Sequence, residues 1–433
     1  MSYFDEVSSK LNVLLRWAEL RHEQGAAGPA SDMKRLARLM ATLARRYERL
    51  RPPASLRLRE PDGLPAIRAA RPPGPRRLWF AFDAHKHTER VAGAWLARAA
   101  GCTLGAPVEG WDVARMEALA RHCDMPFPPR DYWTFTPEPW RKRYNLSTYR
   151  DYLRRDLRHV PVDDDLAYTV LGLLILEEYG PGFTTADVGK AWLEYLPMAY
   201  TAEKATLENL RAGAGWWRAA LKDNPYVEWI GADIRADPWG YAAPGWPEKA
   251  AELAYRDARL SHRQNGIYGA MYFAAAIAAA FAVDAPLDAC RIALSEIPAD
   301  CRLHEDASWA LRQAPRVKDF RHARQLVDER FPGMSIVHTN NNACLTIFGL
   351  ALGGRDVTKV IGNTVAMGMD NDCTAATAGS IVGAVVGAAG VPRHWTAPFR
   401  DRCRTYLRGR EWFTNTDIVR RFTRAARSVW AAE

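Results

Sequence analysis

From Thr374 to Val391 no side chain of this protein ionises, and most of the residues are Ala, Gly, Val, Thr or Ser. Gly379, Gly383 and Gly387 recur every fourth residue, which in a helix aligns them on one face. A face without side chains lets a second helix approach closely. The run is long enough to raise the question of a membrane span. Its small residues carry little transfer energy into lipid, so the expectation is a buried helix in a helical core. Directly before the run stand two acids, Asp370 and Asp372.

A second apolar helix is announced in the same way. Asp163, Asp164 and Asp165 precede "LAYTVLGLLILEEYG", which Gly180 should end. One Asp at a helix start stabilises it by about 1 kcal/mol, and capping accounts for acids of this kind. Three in a row exceed that need and repel one another unless a cation neutralises them. The two helix mouths, brought together, would assemble five carboxylates. Hard oxygen ligands of that type suit Mg²⁺, Mn²⁺ or Ca²⁺. On the residues alone, capping and metal binding both stand.

Elsewhere helical periodicity dominates and strand-type alternation is scarce. "NGIYGAMYFAAAIAAAFAV" reads as another buried helix and "CRIALSEIP" as a shorter amphipathic one. Residues 1 to about 51 read as two helices, the second capped by Ser31 or Asp32. The Pro/Arg-rich stretch that follows reads as an extended linker. The expected fold class is all-α: one large helical bundle over 78–433, preceded by a helical extension and linker over 1–77. The net charge of +9 resides entirely between Asp32 and Arg77, where 13 Lys and Arg face 4 Asp and Glu. Seven cysteines at wide spacing, without a CxxC pair, point to reduced thiols. The opening residues show no charged region followed by an apolar one. Both features lead to the expectation of a cytoplasmic protein with no membrane association. No phosphate-binding Gly-rich loop, HExxH or GxSxG pattern occurs.

Several stretches together carry a resemblance. "GMDNDCTAATAGSIVGAVVGAAGVP" resembles the C-terminal metal motif of the ADP-ribosylglycohydrolase family (dinitrogenase reductase-activating glycohydrolase-like), whose general form is G-x-D-T-D-T before a small-residue helix. "VAGAWLARAAGCTLGAPVEGW" resembles that family's N-terminal signature, "DDDLAYTVLGLLILEEYG" its acidic motif, "IGADIRADPWGYAAPG" its substrate loop, and "RLSHRQNGIYGA" the helix start beyond it. The match runs from about residue 90 to about 396. It implies an all-helical fold, one or two Mg²⁺ ions (or Mn²⁺), and hydrolysis of the bond between C1″ of ADP-ribose and an acceptor atom. By position, Asp163, Asp164, Asp165, Asp370, Asp372 and Cys373 fall on the metal motifs. Glu109 matches the loop glutamate that gates the metal site or assists water, and Glu109, Asp163 and Asp164 are the catalytic candidates. Arg235, with Gly231 and Gly240, falls in the loop that cradles ribose and phosphates, and Gly368 is the glycine of the C-terminal motif.

The sequence also departs from the family pattern. Asp163 and Cys373 stand where ligand threonines are usual, Leu166 replaces a threonine, and Cys102 replaces a common Asp. A thiol is a poor Mg²⁺ ligand, whereas Asp163 adds a hard one. These changes mark a divergent branch, whose substrate is an ADP-ribosylated or ribosylated protein or small molecule. His262 is a substrate contact or a helix-start residue. Asn341 and Asn342 orient substrate or form a turn. The alternative function is an ADP-ribose or nucleotide-binding module without turnover. The Arg-rich segment 34–77 has few aromatics and many prolines, which favours a solvated or domain-covering role over nucleic-acid binding.

Overall fold

The computed structural model describes residues 3–134 and 140–432. It divides into two compact units. One comprises Met1–Leu58 with Arg330–Ser335, the other Arg59–Glu329 with Ile336–Glu433.

In the first unit, helices α1 (Asp5–Glu23) and α2 (Pro29–Arg49) contact each other. Helix α2 begins before the expected Ser31 or Asp32 cap. Gly28, at φ 109°, is its N-cap, and Pro29 is the first helical residue. Proline is suited to that position because its φ is preset and no N–H is needed there. Ser31 instead donates its hydroxyl to the Gly28 carbonyl at 2.7 Å.

The Pro/Arg-rich stretch is not an extended linker. It contains the short helices α3 (Ala54–Arg59) and α4 (Leu64–Ala70). Its prolines precede, open or follow these helices and never interrupt one, so they cost no helix hydrogen bond. Residues from Arg59 onward belong to the second unit, and their charges are used there. Arg71 pairs with Glu296 and with Glu248 (2.9 Å), and Arg76 pairs with Glu296 at 2.9 Å. Glu60 accepts hydrogen bonds from Arg302 and from Asn265. Glu60 and Glu296 are both buried. The segment is thus an ionic strap on the larger unit.

The elements that matter for the site follow along the chain: α5 (Ala84–Gly105), α6 (Asp164–Tyr179), α7 (Thr201–Arg211), α8 (Asn265–Ala280), α9 (Thr339–Gly353), α10 (Asn371–Val386), strands β1 (Cys403–Arg404) and β2 (Trp412–Phe413), and α11 (Asn415–Ala431). Helix α8 is buried at every position. The antiparallel pair β1–β2 is the only named sheet among the described residues. No helix among them is long and apolar enough to cross a membrane. None of the seven cysteines is in a disulfide.

The centre of the larger unit is the pairing of α5 with α10. A Cβ on Gly93 would strike the Gly383 carbonyl, and one on Gly383 would strike that of Gly93. Gly379 lies against the Ala97 carbonyl, Gly101 against that of Ala375, and Gly105 against the Cα of Asp372. The backbones therefore touch along the whole interface, and this fixes Asp372 relative to the end of α5. Gly387 ends that stripe, with its backbone against Gly93, and a Cβ on it would strike the Glu89 carboxylate of α5. It caps α10 at φ 72°, a left-handed conformation that glycine adopts without strain. Gly180 ends α6 in the same way at φ 70°.

Candidate active site

The mouths of α6 and α10 and the end of α5 converge on one cavity of about 620 Å³ in the larger unit. Asp163 is the N-cap of α6, and its carboxylate accepts the Asp165 N–H at 3.0 Å. Asp370 is the N-cap of α10 but makes no side-chain cap bond, so its carboxylate is spared for other work. It follows two consecutive left-handed residues, Gly368 (φ 71°) and Met369 (φ 64°). A methionine in that conformation is strained by about 1–3 kcal/mol, and such strain collects at functional sites. The turn is held by Gly110 N–H to the Met369 carbonyl at 2.9 Å and by Arg324 to the Met367 carbonyl at 2.8 Å. The first of these bonds brings the Glu109 loop alongside the two acids.

Two sets of three carboxylates result, each with oxygens within 4.8 Å of one another: Glu109, Asp370 and Asp372, and Asp163, Asp165 and Asp372. Asp372 belongs to both. Its Oδ1 is buried and has no hydrogen-bond partner among the described residues. The crowding is visible in the acidities. The charge of Asp372, then burial, pushes Glu109 up to about 8. Burial and then the charge of Asp165 push Asp372 up to about 7. Asp163, Asp165 and Asp370 are all raised well above the ordinary carboxylate range, first by burial and then by their neighbours. Buried carboxylates that repel one another and lack partners call for cations, and an all-oxygen set fits hard divalent ions.

One cation is built in. Arg98, buried in α5, pairs with Asp237 at 2.8 Å and with Asp165 at 3.3 Å. It also donates to the carbonyls of Asp165 (2.9 Å) and Ile234 (2.7 Å) and to Thr169 Oγ1 (3.0 Å). Burial opposes its charge, but Asp237 and Asp165 more than offset this. Arg98 therefore ties the acid triplet to the 230–237 loop and balances only part of the negative charge.

The remaining expected site residues divide. Asp164 and Gly231 line the cavity. Asp164 belongs to neither carboxylate set, and Cys373, a buried thiol held neutral by burial and by Asp165, belongs to neither. Arg235 does not line the cavity; its donors go to Asp257 (2.8 Å), Glu203, the Gly231 carbonyl (3.3 Å) and Ser261 (3.1 Å). It holds the loop from behind, between Tyr168 and Trp192. His262 is in the same buried cluster, with Nδ1 2.8 Å from Ser261 Oγ, and burial keeps it neutral. Gly240 packs on Ile277 of α8. Asn341 and Asn342 lie in the first turn of α9. Asn342 Nδ2 donates to the carbonyls of Ile336 (2.8 Å) and His338 (2.9 Å), and Asn341 Oδ1 accepts from the Asn342 N–H (2.9 Å). They shape the turn whose Val337 lines the cavity.

Three kinds of residue were missed by reading the sequence. Arg98 had a signal, being the one charge in the apolar stretch from Val91 to Gly105 of α5. Glu203, from α7, lines the cavity while paired with Arg235, and nothing local marks it. Tyr149, Tyr152, Tyr200 and Tyr406 form an aromatic wall drawn from distant segments.

Comparison with known proteins decides the lineage. The model of the ADP-ribosylglycohydrolase family matches residues 83–430. The chain belongs to the ADP-ribosylglycohydrolase family. No curated protein is matched by it. Among solved structures 43 chains match. One, described as an ADP-ribosylglycohydrolase-related protein complex, has a TM-score of 0.53 at 19% identity, and the match covers 80% of this chain and 99% of that one. Identity at that level speaks for the fold. Membership makes this chain a hydrolase, a glycosidase of the ADP-ribosyl type. The family is generally metal-dependent, and the acids of this glycohydrolase could hold a metal.

Proposed function

We propose that this glycohydrolase uses Mg²⁺ or Mn²⁺ to hydrolyse the N- or O-glycosidic bond of an ADP-ribosyl or ribosyl conjugate, either a protein or a nucleotide-derived small molecule. The observation that carries this reading is the pair of carboxylate sets sharing Asp372 in one cavity. Glu109, Asp163, Asp165, Asp370 and Asp372 are the residues that would hold one or two ions. A divalent ion bound there supplies Lewis acidity, which polarises sugar hydroxyls and lowers the pKa of water.

The chain's own residues account for the rest. Cleavage at C1″ passes through an oxocarbenium-like state with positive charge on the sugar. The crowded acids favour such charge electrostatically. Glu109, exposed at the mouth of the cavity, would be ionised once bound cations offset the charge of Asp372 that raises its pKa, and could then accept a proton from an attacking water. Arg98 holds Asp165 in position and opposes the rise that burial imposes on its pKa. Gly231 leaves room in the wall, because a Cβ there would strike the Glu203 carboxylate.

The test is hydrolysis of a panel of ADP-ribosyl and ribosyl conjugates with Mg²⁺ or Mn²⁺, followed by mass spectrometry, with an Asp370→Ala/Asp372→Ala variant alongside. Release by the wild type, abolished in the variant, is expected. Equal release by both proteins would overturn the metal assignment.

A further inference from the structure

Tyr406 lies outside every motif considered above, yet it lines the same cavity as the acids. It is carried by the segment joining β1 to β2, whose register is fixed. Val160 N–H donates to the Arg402 carbonyl at 2.8 Å, and Arg404 N–H donates to the Val160 carbonyl at 3.0 Å. This parallel bridge, Val160 with Cys403, sits three residues before Asp163 and three before Tyr406. Continued in step, it sets Tyr406 beside the acid triplet. The turn beyond is locked as well. Thr405 N–H donates to the Glu411 carbonyl at 2.9 Å, Thr405 Oγ1 to that of Arg410 at 2.7 Å, and Arg408 N–H to that of Tyr195 at 3.0 Å. Cys403, Thr405 and Leu407 are buried on the other side and anchor the strand.

Held in this way, the ring ends in a hydroxyl that is buried and has no hydrogen-bond partner among the described residues. A buried orphan hydroxyl costs about 1–3 kcal/mol, so a rigid scaffold that maintains one needs a reason. Burial, with Asp164 and Asp163 nearby, keeps the phenol uncharged, which makes it a donor and not a base. We propose that Tyr406 is a substrate-contacting residue whose phenol donates a hydrogen bond to a hydroxyl oxygen of the bound ribosyl group. Asp163 and Asp164 are the acids near it, and the sugar must sit against the acid cluster for C1″ to be attacked. A sugar oxygen is then the acceptor that reaches Tyr406. The inference rests on the glycohydrolase reading and adds to it a residue that orients the sugar.

The experiment compares the full-length wild type with Tyr406→Phe, which keeps the ring and removes only the hydroxyl. On the best conjugate of the panel, kcat/KM should fall about 3- to 10-fold, in keeping with loss of one hydrogen bond to an uncharged group. The melting temperature of the ligand-free protein should stay level or rise, because an unsatisfied buried group has gone. With 2″-deoxy and 3″-deoxy versions of the conjugate, the penalty should vanish for the one that lacks the accepting hydroxyl. Unchanged kcat/KM would overturn the proposal, and so would a loss of activity accompanied by a lower melting temperature. A wild type that releases nothing from any conjugate would instead defeat the glycohydrolase reading, and this inference with it.

Discussion

Asp372→Asn should make the metal-free protein more stable while removing its response to metal. Asp372 is the carboxylate common to both sets, is 4% exposed, and has a pKa of about 7 where 3.8 is ordinary. The difference of about 3 units corresponds to about 4 kcal/mol of unfavourable charge at 1.36 kcal/mol per unit. The neighbouring acids share that repulsion, so one substitution should recover about 1–3 kcal/mol. For a chain of this length that is a rise of about 1–5 °C in melting temperature. The sign with pH follows from linkage. A carboxyl whose pKa is raised in the folded state holds a proton that the unfolded chain has released between pH 3.8 and about 7, so metal-free wild type loses stability as pH rises through that window. The gain from Asn should therefore be small at pH 5 and largest at pH 8. Thermal melts in chelator across that range measure it. Added Mg²⁺ or Mn²⁺ should raise the wild-type melting temperature, most strongly at pH 8, and raise that of the variant little. A variant that melts below wild type in chelator at pH 8 would refute the premise that these acids strain the metal-free fold.

Removing residues 1–58 should leave the melting of the larger unit nearly intact, whereas removing 1–77 should cost several kcal/mol, about 3 or more, because Glu296 then loses both its arginines; melts of the two truncations check this. Gly101→Ala places a methyl against the Ala375 carbonyl and should cost about 1–3 kcal/mol and weaken metal binding by displacing α10, while Gly182→Ala, with nothing near its Cβ position, serves as the neutral control in denaturant titrations. Arg98→Met leaves Asp165 and Asp237 buried without their counter-ion and should destabilise by about 3–5 kcal/mol at pH 8, and by less as the pH falls and these raised acids take up protons.

What could be read in the sequence follows local rules. The helices α6, α8 and α10, the glycine that ends α6 and the acids at two helix mouths are written in consecutive residues, where periodicity and capping operate. The family resemblance rested on these same stretches and carried Glu109 to the cavity rim. Local rules failed where a tertiary partner decides. The prolines after residue 51 suggested an extended chain, but the stretch forms two short helices, and Arg71 and Arg76 beyond them pair with Glu296. Arg235 was expected among the phosphates of the substrate, and its donors are taken by Glu203 and Asp257, both distant in sequence. Tyr406 and the other tyrosines of the wall reach the cavity through loop register, which no local pattern encodes.

The central claim is that the carboxylates around Asp372 form a metal centre that hydrolyses a ribosyl conjugate. The most direct test follows the hydrolysis rate of the wild type and of Asp372→Asn after chelation, and then as Mg²⁺ or Mn²⁺ is titrated back. The account predicts no turnover by the chelated wild type, recovery that saturates with the metal, and no recovery in the variant. Full activity in the chelated wild type, or recovery in Asp372→Asn equal to wild type, would contradict it.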